Sequence, residues 1–247
     1  LMGVPLGTFL SHNLSWRAPF LMSILLGLIT LYMIYRWVPN VEALPNNGMK
    51  AQFRFLRNLV PWLIIAATFL GSAGMLSWFS YISPLLQMEG GFSASSISLL
   101  MILAGGGMVV GNLTSGPLSD RFKPGRITSC YLVLAATSLL LTFFFSAYAW
   151  AVAVLMFFTC VSLFGVGSPE QYLIVKHSEG GEMLGGCCIQ AAFNSGNALG
   201  ALLGGIPISL GMGYNYPALI GVPLTLGGAI CLYIFHKRFE GPSTLGK

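Results

Sequence analysis

Apolar residues in this chain neither alternate with polar ones nor fall on a single helical stripe. They run in blocks of about 20, and the charges lie between the blocks. A helix of that length spans the roughly 30 Å of a hydrocarbon core at 1.5 Å per residue. The first complete block is Ala18 to Trp37, preceded by what reads as the end of a helix over residues 1–10 and a polar turn from Ser11 to Arg17. Six more follow, at about 60–87, 94–118, 127–146, 149–175, 183–210 and 216–236. The longest polar connection, 38–58, holds Pro39, Pro45 and Gly48, then Lys50, Arg54 and Arg57 opposite Phe53, Phe55 and Leu56. The pattern predicts an all-α integral membrane protein of seven spans plus a stub. Residues 1–37 would end one bundle, 38–58 would form a central loop, and 59–247 would form a six-helix bundle with a short tail.

Composition agrees and removes other classes. Charged residues are 8% of the chain and apolar ones 55%, against about a quarter charged in soluble proteins. The net charge of +5 is spread over separate short loops without interleaved aromatics, which excludes a nucleic-acid footprint. The five cysteines all lie inside apolar blocks without a C-x-x-C, and His12, His177 and His236 lie in three different connections, so no metal site is expected. No H-E-x-x-H, G-x-S-x-G or Walker-type loop occurs, so neither an enzyme nor a cofactor is implied. Residue 1 opens mid-pattern, with no basic leader, so the chain reads as part of something longer.

Charge orients the spans. Of the twelve bases, only Arg17 falls on one side of this layout; Arg36, Lys50, Arg54, Arg57, Arg121, Lys123, Arg126, Lys176, Lys237, Arg238 and Lys247 fall on the other. By the positive-inside rule the 38–58 loop and the carboxyl end are cytoplasmic.

Candidate chemistry lies where polar groups interrupt apolar blocks. In the block 183–210, Gln190, Asn194 and Asn197 share one helical face, and Gly196, Gly200 and Gly204 form a second. The glycines invite a closely packed neighbour. The amides must find hydrogen bonds, either across to adjacent helices or with a polar solute in a wet cavity. Glu170 is the one acid placed inside a block, about 9 Å from its basic end. Intramembrane acids are functional candidates. Ser168-Pro169-Glu170-Gln171 also reads as a helix restart, with Ser168 as N-cap, Pro169 at N1 and Gln171 closing a capping box. A span broken there would present a helix start and a carboxylate to a cavity. Gly74, Ser77 and Tyr81 share a face in block 60–87, with Ser77 expected to pack and Tyr81 to face a cavity.

The stretch from Gly111 to Arg126, G-N-L-T-S-G-P-L-S-D-R-F-K-P-G-R, ends one block at an acid–base pair and begins the next. Gly107, Gly111 and Gly116 lie just inside the apolar end, where small residues allow helices to approach. Gly3-Val4-Pro5-Leu6-Gly7 is echoed 202 residues further on by Gly205-Ile206-Pro207-Ile208-Ser209, which reads either as two parallel-repeated six-helix halves or as chance between two helix ends containing Gly and Pro.

Gly116-x-Leu118-x-Asp120-Arg121 resembles the loop signature G-x-L-x-D-R-x-G-[RK]-[RK] of the major facilitator superfamily, in its second-half copy. Gly3 to Gly7 resembles the motif closing helix 5 in that superfamily's proton-driven antiporters. Pro5 to Phe20, Trp78 to Tyr81 and Gly180 to Gly185 look like its AraJ-type sugar-efflux branch among the drug:proton antiporters. The resemblance implies a chain running from the end of helix 5 through helix 12, with an N-terminal bundle of the same protein as its missing partner. It implies that Asp120 and Arg121 form a gating latch, that Gly116 permits the close crossing at that latch, and that Gly3, Pro5 and Gly7 shape the outer end of helix 5. After Phe122 the sequence reads Lys123-Pro124-Gly125-Arg126, so the basic half, with Arg126, is displaced from the pattern. The function expected is proton-coupled efflux of a small sugar-like or drug-like solute from a bacterial inner membrane by alternating access. Glu170, Gln171, Gln190, Asn194, Asn197, Ser77 and Tyr81 would serve the substrate or proton pathway. The alternative is a non-transporting membrane sensor or assembly protein on the same fold, which would show no solute flux dependent on a pH gradient.

Overall fold

The computed structural model of the chain describes Gly7, Leu10, residues 14–39 and residues 52–240. It divides into two compact units, Leu1–Asn47 and Gly48–Lys247. Every regular element among the described residues is helical.

In the first unit, α1 (Ala18–Trp37) starts with Pro19 in its first turn, where a missing N–H leaves no gap in the ladder, and ends with Arg36 at the negative pole of the helix. It is apolar on all sides, and none of its residues is buried among the described residues.

The second unit opens with a 3₁₀ turn, Phe53–Arg57, and continues through α2 (Leu59–Phe79), α3 (Ala94–Phe122), α4 (Pro124–Phe144), α5 (Ala149–Gly165), α6 (Gly167–Lys176), α7 (Glu182–Ser209) and α8 (Tyr216–Phe239). The span expected over 60–87 stops earlier, at Ser80 and Tyr81. A short turn at Ile82–Pro84 and a π-turn at Leu85–Glu89 complete it. Among the described residues six helices are long and apolar enough to cross a membrane: α1, α2, most of α3, α4, α5 with α6 as one piece (Ala149–Lys176), and α8. At 28 residues α7 has the length, but its glycines and three amides dilute its hydropathy. The seventh expected span is therefore present as a helix of weaker apolar character.

Packing explains the dilution. Methyl groups added at Gly196, Gly200 and Gly204 would collide with the backbone of Phe69, Ala73 and Ser77, so this stripe lets α7 lie directly on α2. On the other side of α2, Gly74 lies against Gly221 and Thr225 of α8. Gly107 and Gly111 bring α3 onto Phe157 and Val161 of α5 in the same manner. Two apolar clusters fill the interior, one around Leu132, Ile174, Leu232 and Phe235, the other around Trp78, Leu85, Val152 and Met156.

The break between α5 and α6 falls at Val166, whose backbone stays in the right-handed helical region. The expected restart is thus corrected in detail: Val166 and not Ser168 is the N-cap, Pro169 lies at the third helical position, and no side chain caps the turn. The backbone at Val166 stays helical, yet the hydrogen-bond ladder is interrupted here: Pro169 has no N–H to donate, and the ladder resumes with the Glu170 N–H reaching the Val166 carbonyl at 3.1 Å.

Candidate functional site

Glu170 sits in the first turn of α6, 3% exposed. The Thr68 hydroxyl, from α2, donates to its Oε2 at 2.8 Å. Its Oε1 is buried and has no hydrogen-bond partner among the described residues. An open cavity of about 650 Å3 adjoins this carboxyl group. Its polar lining is Thr68, Asn112 of α3, Ser168, Glu170 and Gln171 of α6, and Gln190 of α7; Phe164, Tyr172, Ile189 and Phe193 supply the apolar part. Five helices therefore converge on one acid that retains unused accepting capacity. Such a lining can hold a molecule that has an apolar face and several hydrogen-bond donors. No group of three or more metal-ligating side chains occurs among the described residues.

Three expected pathway residues, Glu170, Gln171 and Gln190, come together here. The Gln171 amide lies close enough to Gly186 that a side chain there would meet it. Asn194 and Asn197 lie further along α7, outside the cavity lining. The Asn194 amide donates to the Gln190 carbonyl one turn back, and the Asn197 Oδ1 is buried without a partner among the described residues. Ser77 packs as expected, donating to the Gly74 and Pro217 carbonyls. Tyr81 departs from expectation: its hydroxyl donates to the Ala201 carbonyl at 2.9 Å, so it ties α7 to the broken end of α2 instead of facing the cavity. Thr68 and Asn112 are polar lining residues that sequence reasoning did not single out. An amide in the middle of the 29-residue α3 is a signal of the same kind as Gln190. Thr68 carries no such signal, because a threonine hydroxyl can bond its own helix, and this one lies 3.1 Å from the Ile64 carbonyl.

The Gly111–Arg126 stretch is arranged differently from its sequence reading. A side chain at Gly116 would meet nothing within 4 Å among the described residues; Gly107 and Gly111 take the close helix approach. Asp120 and Arg121 form no ion pair within the described chain, and the Arg121 guanidinium lies 5.2 Å from the Phe122 ring centroid. Arg126 is exposed in the first turn of α4. Lys123 is the single residue between α3 and α4 and has φ +74°, the one positive φ outside glycine among the described residues. Its ammonium donates to the Glu240 carbonyl at 2.7 Å, the Gly125 N–H donates to Glu240 Oε1 at 2.9 Å, and His236 Nδ1 lies 2.7 Å from Glu240 Oε2. The displaced basic segment is thereby fastened to the end of α8. Gly7 is helical, while Gly3 and Pro5 lie outside the described residues.

Comparison with known proteins meets this architecture from another direction. The "Putative transporter AraJ" of Escherichia coli (strain K12) is 38% identical over 246 residues, which is 99% of this chain and 62% of that protein. The "Probable sugar efflux transporter" of Helicobacter acinonychis (strain Sheeba) is 23% identical over 215 residues, 87% of this chain and 55% of that protein. The purine ribonucleoside efflux pump NepI of Shigella sonnei (strain Ss046) is 26% identical over 142 residues, 58% of this chain and 36% of that protein. The chain thus spans about 62% of the length of the most similar of these three. The family model described as Major Facilitator Superfamily matches residues 1–186. With that match over three-quarters of its length, and with its bundle of apolar helices, the chain belongs to the Major Facilitator Superfamily.

Proposed function

We propose that the protein to which this chain belongs exports a small solute in exchange for protons, by rocking a second bundle against Gly48–Lys247 around a site near the bilayer midplane. The observation that carries this reading is Glu170, a buried carboxyl group with one bonded and one unbonded oxygen beside a cavity. An ionised carboxylate so buried needs a partner, and a solute hydrogen-bond donor or cation reaching Oε1 supplies one. A protonated carboxyl is satisfied otherwise, by donating to Thr68 while the Thr68 hydroxyl turns to the Ile64 carbonyl. Solute and proton would thus occupy the same group by turns. Relatives named for sugar and purine ribonucleoside efflux support a solute rich in hydroxyl donors. Gln171 and Gln190 would orient it, with Asn194 and Asn197 further along the same path.

In this reading the end of the bundle bearing Arg54, Arg121, Lys176 and Lys237 faces the cytoplasm, because basic residues concentrate there. Asp120, Arg121, Arg126 and Gly116 belong to a gate completed by the other bundle, as do Gly3, Pro5 and Gly7. The deciding experiment reconstitutes the complete protein into liposomes and measures solute flux driven by a pH gradient, for wild type and Glu170→Gln. Flux in the wild type that loses its dependence on the gradient in the variant is expected. Full coupled flux in the variant would remove Glu170 from the mechanism, and absence of any solute flux would favour a sensor.

A further inference from the structure

At the basic end of the second unit, the Phe53–Arg57 turn, the start of α2 and the end of α6 surround a second cavity, of about 850 Å3. Arg54 and Arg57 both line it. In a 3₁₀ turn side chains three apart eclipse, so the two guanidinium groups leave from one edge. Lys176, the last residue of α6, lines it from a different segment. None of the three is in an ion pair among the described residues, where the only pair is His236–Glu240. Asn58, the N-cap of α2, also lines this space and makes no side-chain bond to the helix amides, so the positive pole of α2 adds to the same field. Glu179 lines the cavity too and offsets one of the three charges.

The turn that presents these charges is held in place. Phe55 is buried, the Trp62 indole N–H donates to the Leu56 carbonyl at 2.8 Å, and a side chain on Gly181 would strike the Gln52 carbonyl. The cavity rim is also apolar. Leu59 and Phe239 line it and are exposed, and Trp62, exposed and in the first turn of α2, sits where tryptophan marks the membrane–water interface. A small free anion would leave this rim unused, whereas a phosphate joined to acyl chains uses both parts.

We infer that this cavity binds the phosphate of an anionic phospholipid, with Arg54, Arg57 and Lys176 around the head group and the acyl chains over Leu59 and Phe239. The site is independent of the Glu170 cavity and does not rest on the transport reading. Basic pockets at this level of a bundle suit anionic head groups, each cation near the surface contributing about fivefold in affinity.

The test titrates the purified full chain in detergent with phosphatidylglycerol or phosphatidylcholine and counts bound lipid by native mass spectrometry. Phosphatidylglycerol is expected to bind more tightly. The triple variant R54Q/R57Q/K176Q should lose roughly a hundredfold in affinity for it with phosphatidylcholine unchanged, and R54K/R57K/K176R should retain it. Equal binding of the two lipids by the wild type would overturn the inference, as would unchanged affinity in the triple glutamine variant. Displacement of phosphatidylglycerol by millimolar inorganic phosphate would overturn the lipid assignment in favour of a soluble anion. Should the triple variant fail to fold, the wild-type lipid preference and Arg57→Gln, with about a fivefold loss, decide the matter.

Discussion

Glu170 and Glu240 are both carboxylates at least partly withdrawn from solvent, and the chain treats them in opposite ways. Around Glu240 the carboxylate meets a backbone N–H and an imidazole, while its main-chain carbonyl takes an ammonium. Glu170 lies deeper and receives a single hydroxyl. A carboxylate with both oxygens engaged by its own chain serves to fix geometry; here it clamps the α3–α4 connection to α8. A carboxylate buried with one oxygen empty lacks a stabilising bond at that oxygen, and the shortfall is made up when something enters the cavity. Burial alone does not separate the two roles; the number of partners does.

The sharpest way to break this contrast is Glu170→Gln. It keeps the shape and removes the titrating oxygen, and it is expected to lower pH-gradient-driven flux about a hundredfold, within the range for lost proton-transfer groups. Folding, read as the unfolding midpoint in detergent, should hardly change. Next comes Thr68→Val, which strips Glu170 of its one partner without altering volume. A loss of about 2 kcal/mol in unfolding free energy is expected from a buried acceptor left unpaired, together with an altered pH profile of flux. Glu240→Ala should cost about 1 kcal/mol from the loss of its hydrogen bonds at a partly exposed site, with the pH profile of flux unmoved. A changed profile there would erase the distinction. The smallest effect belongs to His236→Gln, where the partly exposed pair with Glu240 is expected to contribute less than about 1 kcal/mol, measured by the same unfolding midpoint.

Much of this architecture could be read directly from the chain, because a bilayer makes two demands that leave marks in sequence. Apolar blocks must be long, and charges must lie at their ends; both set most helices to within a few residues, the span over 60–87 excepted, where α2 ends at Phe79. Glu170, Gln171 and Gln190 stand out as polar groups in apolar surroundings. The misplacements share a cause. Tyr81 finds its partner in a carbonyl 120 positions away, and no local pattern reports a bond of that kind. Thr68 was silent because its hydroxyl has a carbonyl of its own helix within reach. A side chain at Gly116 would meet nothing within 4 Å among the described residues, whereas Gly107 and Gly111 do their packing within the bundle. The displaced Lys123-Pro124-Gly125 segment reads as a defect in the motif, yet its residues meet Glu240 across the fold.

The glycine stripe of α7 has a mechanical consequence. With Gly196, Gly200 and Gly204 seated against the α2 backbone, and Gly74 seated against α8 on the far side, the three helices mesh like parts cut without clearance. Sliding one along another by a fraction of a turn would drive main chain into main chain. A bundle assembled in this way carries displacement without absorbing it: an input at one end emerges at the other with little lost to internal shear. The mesh also reaches past the end of α2, where the Tyr81 hydroxyl bonds the Ala201 carbonyl and lies against Gly205.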